Sequence, residues 1–273
     1  HIKKFGFDIE QLPKNLSLAL GSAELSLWEL VRGYSVFANG GFLIEPYFIN
    51  ETKTYDNQII FRANPIVVCN QCIDIQKEKT LSEENNSAKE INDTEATYEN
   101  DNLNTIYSPR VVDAKNIWIM NTITRDVIKF GTGRKALELQ RDDLSGKTGT
   151  TNDQHDAWFS GFNSNIATVS WVGFDKFRPL GMRETGGRAA LPMWIDYMRE
   201  ALKGMPQSMM QRPKGLVTVR IDSENGEVAN TDNPDAMFEV FRLKNAPKSL
   251  NKEKRSDLLL KDDGDTSTPE QLF

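Results

Sequence analysis

Two runs of aromatic and β-branched residues, Ala157-Trp158-Phe159-Ser160-Gly161-Phe162 and Ile166-Ala167-Thr168-Val169-Ser170-Trp171-Val172-Gly173-Phe174, flank a short Asn163-Ser164-Asn165 connection. That pattern predicts an antiparallel hairpin rather than a helix. Just before it stands Ser145-Gly146-Lys147-Thr148-Gly149-Thr150-Thr151, a segment rich in hydroxyls and glycine with one cation. Such a stretch can bring backbone N–H groups, hydroxyls and an ammonium to an anionic ligand. Its resemblance to a phosphate loop fails twice. The motif G-x-x-x-x-G-K-[ST] requires glycine where Arg141 stands, and a phosphate loop opens a helix, whereas a hairpin follows here.

Around this centre the chain divides by composition. Residues 21–39 place Leu25, Leu27, Leu30, Val31, Tyr34, Val36, Phe37 and Ala38 at helical spacing, with Ser22 or Ser26 as cap and Gly40-Gly41 as stop. Short strands are expected at Phe42–Ile44, Tyr47–Ile49 and Gln58–Phe61. A helix over about 113–130 carries Ile117, Ile119, Met120, Ile123, Val127 and Ile128, capped by Asp113 and ended by Gly131. Another is expected at 189–203, with Pro192 tolerated in its first turn. Residues 215–222 alternate with period two and predict a strand closed by a turn at Glu224–Glu227. Residues 82–104 hold almost no large apolar side chain, so they cannot offset their ordering entropy and read as a mobile surface loop.

The 273-residue chain has a formal net charge of −6 and no basic footprint for nucleic acid. No apolar run approaches the ~20 residues of a membrane helix. The chain opens at His1, which reads as the interior of a longer polypeptide. Cys69-Asn70-Gln71-Cys72 cannot complete a zinc site with only His1 and His155 elsewhere, so no metal is expected. The pair reads as a local disulfide or two idle thiols rather than a redox centre.

The string Gly146-Lys147-Thr148-Gly149-Thr150-Thr151-Asn152-Asp153 with Asp156-Ala157-Trp158-Phe159 beyond it resembles the transpeptidase domain of class A (bifunctional) penicillin-binding proteins, 1A type. Leu27–Gly41, Ser108–Val112, Gly131–Arg134 and Ala189–Trp194 are similar to further segments of that family, so the resemblance covers roughly residues 1–60 and 106–245. It implies an α/β (α+β) fold of the penicillin-binding-protein and serine β-lactamase type. In that fold an antiparallel sheet is flanked by helices, and only its C-terminal part is present. Residues 1–61 are then the first part of the transpeptidase domain and 62–105 a polar insertion. Residues 106–203 bear the Lys-Thr-Gly strand and last helix, 204–247 form a C-terminal extension, and 248–273 a flexible tail.

The resemblance assigns Lys147 a catalytic role and gives Thr148, Gly149 and Thr150 to substrate binding. The two threonine hydroxyls would hold a terminal carboxylate, and the Thr150 N–H would form half of an oxyanion hole. A Gly-rich loop, 181–188, is flexible and polar by composition, and its Glu184, Thr185 and Gly186 are candidate cleft contacts. The family does not use histidine as its base, so His155 is expected in a surface turn, with Asp156 anchoring that turn through backbone N–H groups. Trp158 and Phe159 are core candidates. An extracytoplasmic setting favours the Cys69–Cys72 disulfide.

The implied activity is D,D-transpeptidation at the periplasmic face of the bacterial inner membrane, without a cofactor. Its partners are peptidoglycan stem peptides, β-lactams, and upstream transpeptidase and glycosyltransferase segments. The membrane is reached only through an anchor outside this chain. The family's nucleophile motif, S-x-x-K, is expected upstream. Ser249-Leu250-Asn251-Lys252 lies in a polar tail, and Ser223-Glu224-Asn225 in a turn after Lys-Thr-Gly, so neither fits. The chain alone is therefore expected to be inert. The alternatives are a β-lactam-sensing or docking domain of the same fold, and a β-lactamase whose deacylating base is not identifiable here.

Overall fold

The computed structural model describes residues 1–69 and 105–247. Cys72, the acidic stretch 82–104 and the tail 248–273 lie outside the described residues, and with them the expected Cys69–Cys72 pairing and the Ser249–Lys252 match.

The organising element is an antiparallel sheet of Ser145–Thr150 (β3), Ala157–Phe162 (β4) and Ala167–Val172 (β5), in the order β3-β4-β5. Two antiparallel pairs accompany it: Glu51–Lys53 (β1) with Ile59–Arg62 (β2), and Leu216–Asp222 (β6) with Ala236–Arg242 (β7). The α-helices of the described residues are Leu27–Ala38 (α1), Ala114–Lys129 (α2) and Leu191–Ala201 (α3), with short 3-10 and π turns between the elements. The expected hairpin is present, with Trp158 opposite Trp171 and Phe162 opposite Ala167. The buried Asn163 closes its turn by accepting the N–H groups of Asn165 and Ile166 at 3.0 and 2.9 Å.

The pleat assigns each face of β4 to a different layer. Ala157, Phe159 and Gly161 point to α3, where Phe159 meets Trp194 edge-on at 4.9 Å between ring centres. Glycine at 161 makes that seat: a Cβ there would lie 2.5 Å from the Trp194 ring. Ile128, Leu144, Leu191, Ile195 and Met198 fill the rest of this core, each contributing about 1.5–3 kcal/mol by its burial. Phe162 faces the other way, toward Tyr34 and Phe37 of α1, with ring centres at 6.1 and 6.3 Å. The sheet is thus held between α1 and α3.

Local chemistry sets where the helices begin. The Ser26 hydroxyl accepts the Glu29 N–H at 3.2 Å, while the Glu29 carboxylate accepts the Ser26 N–H at 2.9 Å. This capping box starts α1 at Leu27, so the helix expected from residue 21 is shorter. Asp113 caps α2 by accepting the Lys115 N–H at 3.0 Å. A single π turn, Gly186–Ala190, precedes α3, and Pro192 occupies the first turn as expected.

Three expectations need correction. Phe42–Ile44 and Tyr47–Ile49 are not strands. Phe42 makes one bridge, to Arg110, and its N–H and carbonyl are both satisfied by the Asn39 side-chain amide at 2.9 Å, which takes the place of a ladder partner. Phe48 remains 86% exposed and stacks on Trp28 instead. Pairing begins later, at Glu51. Secondly, the strand expected at 215–222 has an antiparallel partner, β7, that no sequence pattern signals. β7 carries Ala236-Met237-Phe238-Glu239-Val240-Phe241-Arg242, in which exposed and half-buried positions do not alternate, so period two gave no signal. Thirdly, Phe159 is fully buried but Trp158, on the opposite face, is only half-buried beside Trp171.

Candidate active site

β3 forms one edge of the central sheet, and its alternation sorts the motif into two groups. Thr148 and Thr150 pair with Phe159 and Ala157, and so share the α3 face. Lys147 and Gly149 pair with Ser160 and Trp158 on the α1 face.

On the α3 face the threonines meet two other segments. The Thr148 hydroxyl lies 2.7 Å from the hydroxyl of Thr132, in the connection leaving α2. That connection is folded back on its helix: the N–H groups of Gly131 and Gly133 both bond to the Val127 carbonyl, at 3.1 and 2.9 Å. Thr150 Oγ1 accepts the Gly186 N–H at 3.0 Å. One lone pair of Thr150 is thereby occupied, and its O–H remains a donor.

The loop 181–188, expected to be flexible, is docked at its C-terminal end. Gly186 is buried, and a Cβ there would lie 2.3 Å from the Trp158 carbonyl and 2.5 Å from the Gly149 carbonyl. A Cβ on Gly187 would meet the Thr132 carbonyl at 2.8 Å. Only glycines allow this approach. Of the three candidate loop residues, Gly186 is brought against β3. Thr185 instead holds the π turn, its carbonyl accepting the Arg188 and Ala189 N–H groups at 2.9 and 2.8 Å. Among the described residues, no hydrogen bond joins the Glu184 side chain to the strand.

Lys147 is exposed, and its Nζ donates to the Thr148 carbonyl at 2.8 Å. The structure therefore places the ammonium at the strand edge, one residue from the hydroxyl pair and not bonded to either hydroxyl. Together the edge offers a cation, two threonine hydroxyls and backbone N–H groups. That donor-rich set suits a carboxylate or a developing oxyanion.

His155 and Asp156 do not form a catalytic pair. The His155 ring lies on Phe177, with ring centres 3.8 Å apart. The Asp156 carboxylate accepts the Trp171 indole N–H at 2.9 Å rather than the backbone N–H groups expected of it, because β5 carries that indole beside the turn. The turn is closed instead by Thr151 Oγ1, which accepts the Asp156 N–H at 2.7 Å. Ser223-Glu224-Asn225 lies in an exposed turn where Asp222 accepts the Glu224 N–H at 2.8 Å.

Sequence reasoning missed the anchor below the motif. Asp143 is buried and bonds to Arg141 through two bonds of 2.9 and 2.7 Å, to Asn163 at 3.1 Å and to the Ser208 N–H at 3.1 Å. Arg141 also donates to the Met205 and Pro206 carbonyls at 2.8 and 3.1 Å. The cluster ties the segment after α3, and the hairpin turn, to the start of β3. Burial opposes the Asp143 charge, but the bonds from Arg141, Ser208 and Asn163, with the Arg141 charge, outweigh it and hold the carboxyl below the ordinary aspartate value. An Arg and Asp two residues apart were visible in the sequence; the partners that bury them were not.

The penicillin binding protein transpeptidase domain family matches residues 5–176, and the chain belongs to that family. It is 43% identical over 265 residues to penicillin-binding protein 1A of Pseudomonas aeruginosa, covering 92% of this chain and 32% of that protein. It is 33% identical over 298 residues to penicillin-binding protein 1A of Vibrio cholerae, covering 100% of this chain and 34% of the relative. The crystal structure of penicillin-binding protein 1A from Haemophilus influenzae shares the fold with a TM-score of 0.74 at 31% identity, over 91% of this chain and 36% of that one. The chain thus spans about a third of the length of these relatives.

Proposed function

We propose that the chain is the carboxylate- and oxyanion-receiving part of a serine-type D,D-transpeptidase that cross-links peptidoglycan stem peptides and is acylated by β-lactams. In this reading Thr148 and Thr150 hydroxyls bind the terminal carboxylate of the donor peptide, and the Thr150 N–H stabilises the tetrahedral oxyanion. Lys147 supplies positive charge beside the reacting hydroxyl. A serine on sequence outside these 273 residues attacks the penultimate D-Ala carbonyl. The terminal D-Ala leaves as its amine, and the acyl group passes to an amine of a neighbouring stem peptide. The reaction uses no cofactor and takes place at the periplasmic face of the inner membrane, with a glycosyltransferase segment upstream.

The observation that carries this reading is the Gly186 N–H on Thr150 Oγ1, which leaves the Thr150 O–H to donate on the strand face it shares with Thr148. Fluorescent penicillin tests it. The full-length protein bearing this segment should be labelled covalently, and should exchange the terminal D-Ala of a stem peptide for a labelled D-amino acid. The 273-residue chain itself should take no label. Labelling of this chain would show the nucleophile to be misplaced, and labelling without exchange would favour a sensing domain.

A further inference from the structure

In the proposed site Thr148 and Thr150 bind the carboxylate, yet the hydroxyl bonded to Thr148 belongs to neither that strand nor loop 181–188. It is Thr132, whose Oγ1 lies 2.7 Å from Thr148 Oγ1. Thr132 is exposed, so its hydroxyl gains little by bonding here rather than to water, and the bond is not required by burial. Its position is nevertheless fixed. The Gly131 and Gly133 N–H groups hold the turn on Val127, and the tight approach of Gly187 bounds the Thr132 carbonyl.

A threonine hydroxyl has one proton to give and two lone pairs. An anion bound at β3 accepts only, so every hydroxyl facing it must donate. Thr150 is set for this by the Gly186 N–H, which it accepts. Thr148 receives no backbone N–H on its hydroxyl among the described residues. Among those residues, the group placed to fill that lone pair is the Thr132 O–H. Thr132 donating to Thr148, and Thr148 donating onward, makes a chain in which each bond polarises the next.

We propose that Thr132 is a positioning residue for carboxylate recognition: it orients the Thr148 proton toward the ligand as Gly186 orients that of Thr150. The inference rests on the carboxylate-receiving reading of β3 and adds to it a residue from the α2 connection, 16 positions from its partner.

The test uses the full-length protein bearing this segment, with two probes: a penicillin with a free carboxylate and the same penicillin as its methyl ester. The readout is the ratio of their acylation rates. Thr132→Val should lower that ratio about five- to tenfold, the size of one neutral hydrogen bond. Thr132→Ser, which keeps the hydroxyl, should restore it. Because Thr132 acts through Thr148, the double variant Thr132→Val with Thr148→Val should lose no more than Thr148→Val alone. A general disturbance of the fold would slow both probes together and leave the ratio unchanged; that result, or failure of Thr132→Ser to restore it, overturns the proposal. Multiplying losses in the double variant would also overturn it, since Thr132 would then act independently of Thr148. If the unaltered protein is acylated by neither probe, the transpeptidase reading itself falls and this inference with it.

Discussion

The Thr150 hydroxyl accepts the Gly186 N–H at 3.0 Å, joining a strand to a loop 36 residues further along the chain. The bond decides two things together. It holds the glycine turn before α3 against β3, and it commits the Thr150 proton to the side where a ligand would lie.

Gly186→Ala tests that relationship. The added methyl would sit within 2.5 Å of the Trp158 and Gly149 backbone carbonyls, neither of which can rotate away. The loop must move, at about 1–3 kcal/mol, the usual penalty of overpacking. In the full-length protein we expect slower acylation by penicillin and faster hydrogen exchange at the amides of 186–190. Unchanged exchange and acylation would mean that the loop does not set Thr150.

Lys147 offers the opposite separation of stability from activity. Its side chain is exposed and its hydrogen bond to the Thr148 carbonyl is local. Lys147→Ala should alter stability by no more than about 0.5 kcal/mol, as surface substitutions do. It should nevertheless slow acylation by about a hundredfold or more, the scale of losing an electrostatic contributor to the transition state. A melting curve and an acylation time course on the same sample check both. Acylation at the unaltered rate would remove Lys147 from the site.

Asp143 should make the sheet acid-sensitive. Its folded carboxyl lies below the unfolded value of about 3.9. A carboxyl depressed in this way contributes stability above its unfolded value, and that contribution is lost as pH falls through the folded one. Protection of β3 amides against exchange should therefore weaken below about pH 4. In Asp143→Ala the pH dependence should flatten. At neutral pH that variant should lose about 3 kcal/mol of protection, because the Arg141 side chain, 12% exposed, is left without its counter-charge. Equal protection in the two proteins would assign the anchoring to other contacts.

Much of the scaffold was legible because its signals are local. The capping residues Ser26 and Asp113, the apolar stripe of α2 and the Asn163 turn each act within a few residues, so their effect can be read along the chain. The failures share a cause too. Tyr47–Ile49 has strand-like residues but no strand to pair with among the described residues, and β7 is defined by its register on β6 rather than by any alternation of its own. Strand formation is a property of two segments, and a single segment announces only half of it.

The same division runs through the site. The sequence determined that Lys147, Thr148 and Thr150 stand on one strand ahead of a hairpin, with both threonines on one face, because a pleat of period two requires it. It could not say what those hydroxyls touch. Thr132, Gly186 and the Arg141–Asp143 anchor reach β3 only once Phe159 and Trp194 seat the sheet on α3 and the connections close over it. Hydrogen-bond direction at Thr150 and its order at Thr148 depend on those distant partners. Packing of the core decided which protons the strand has left to give.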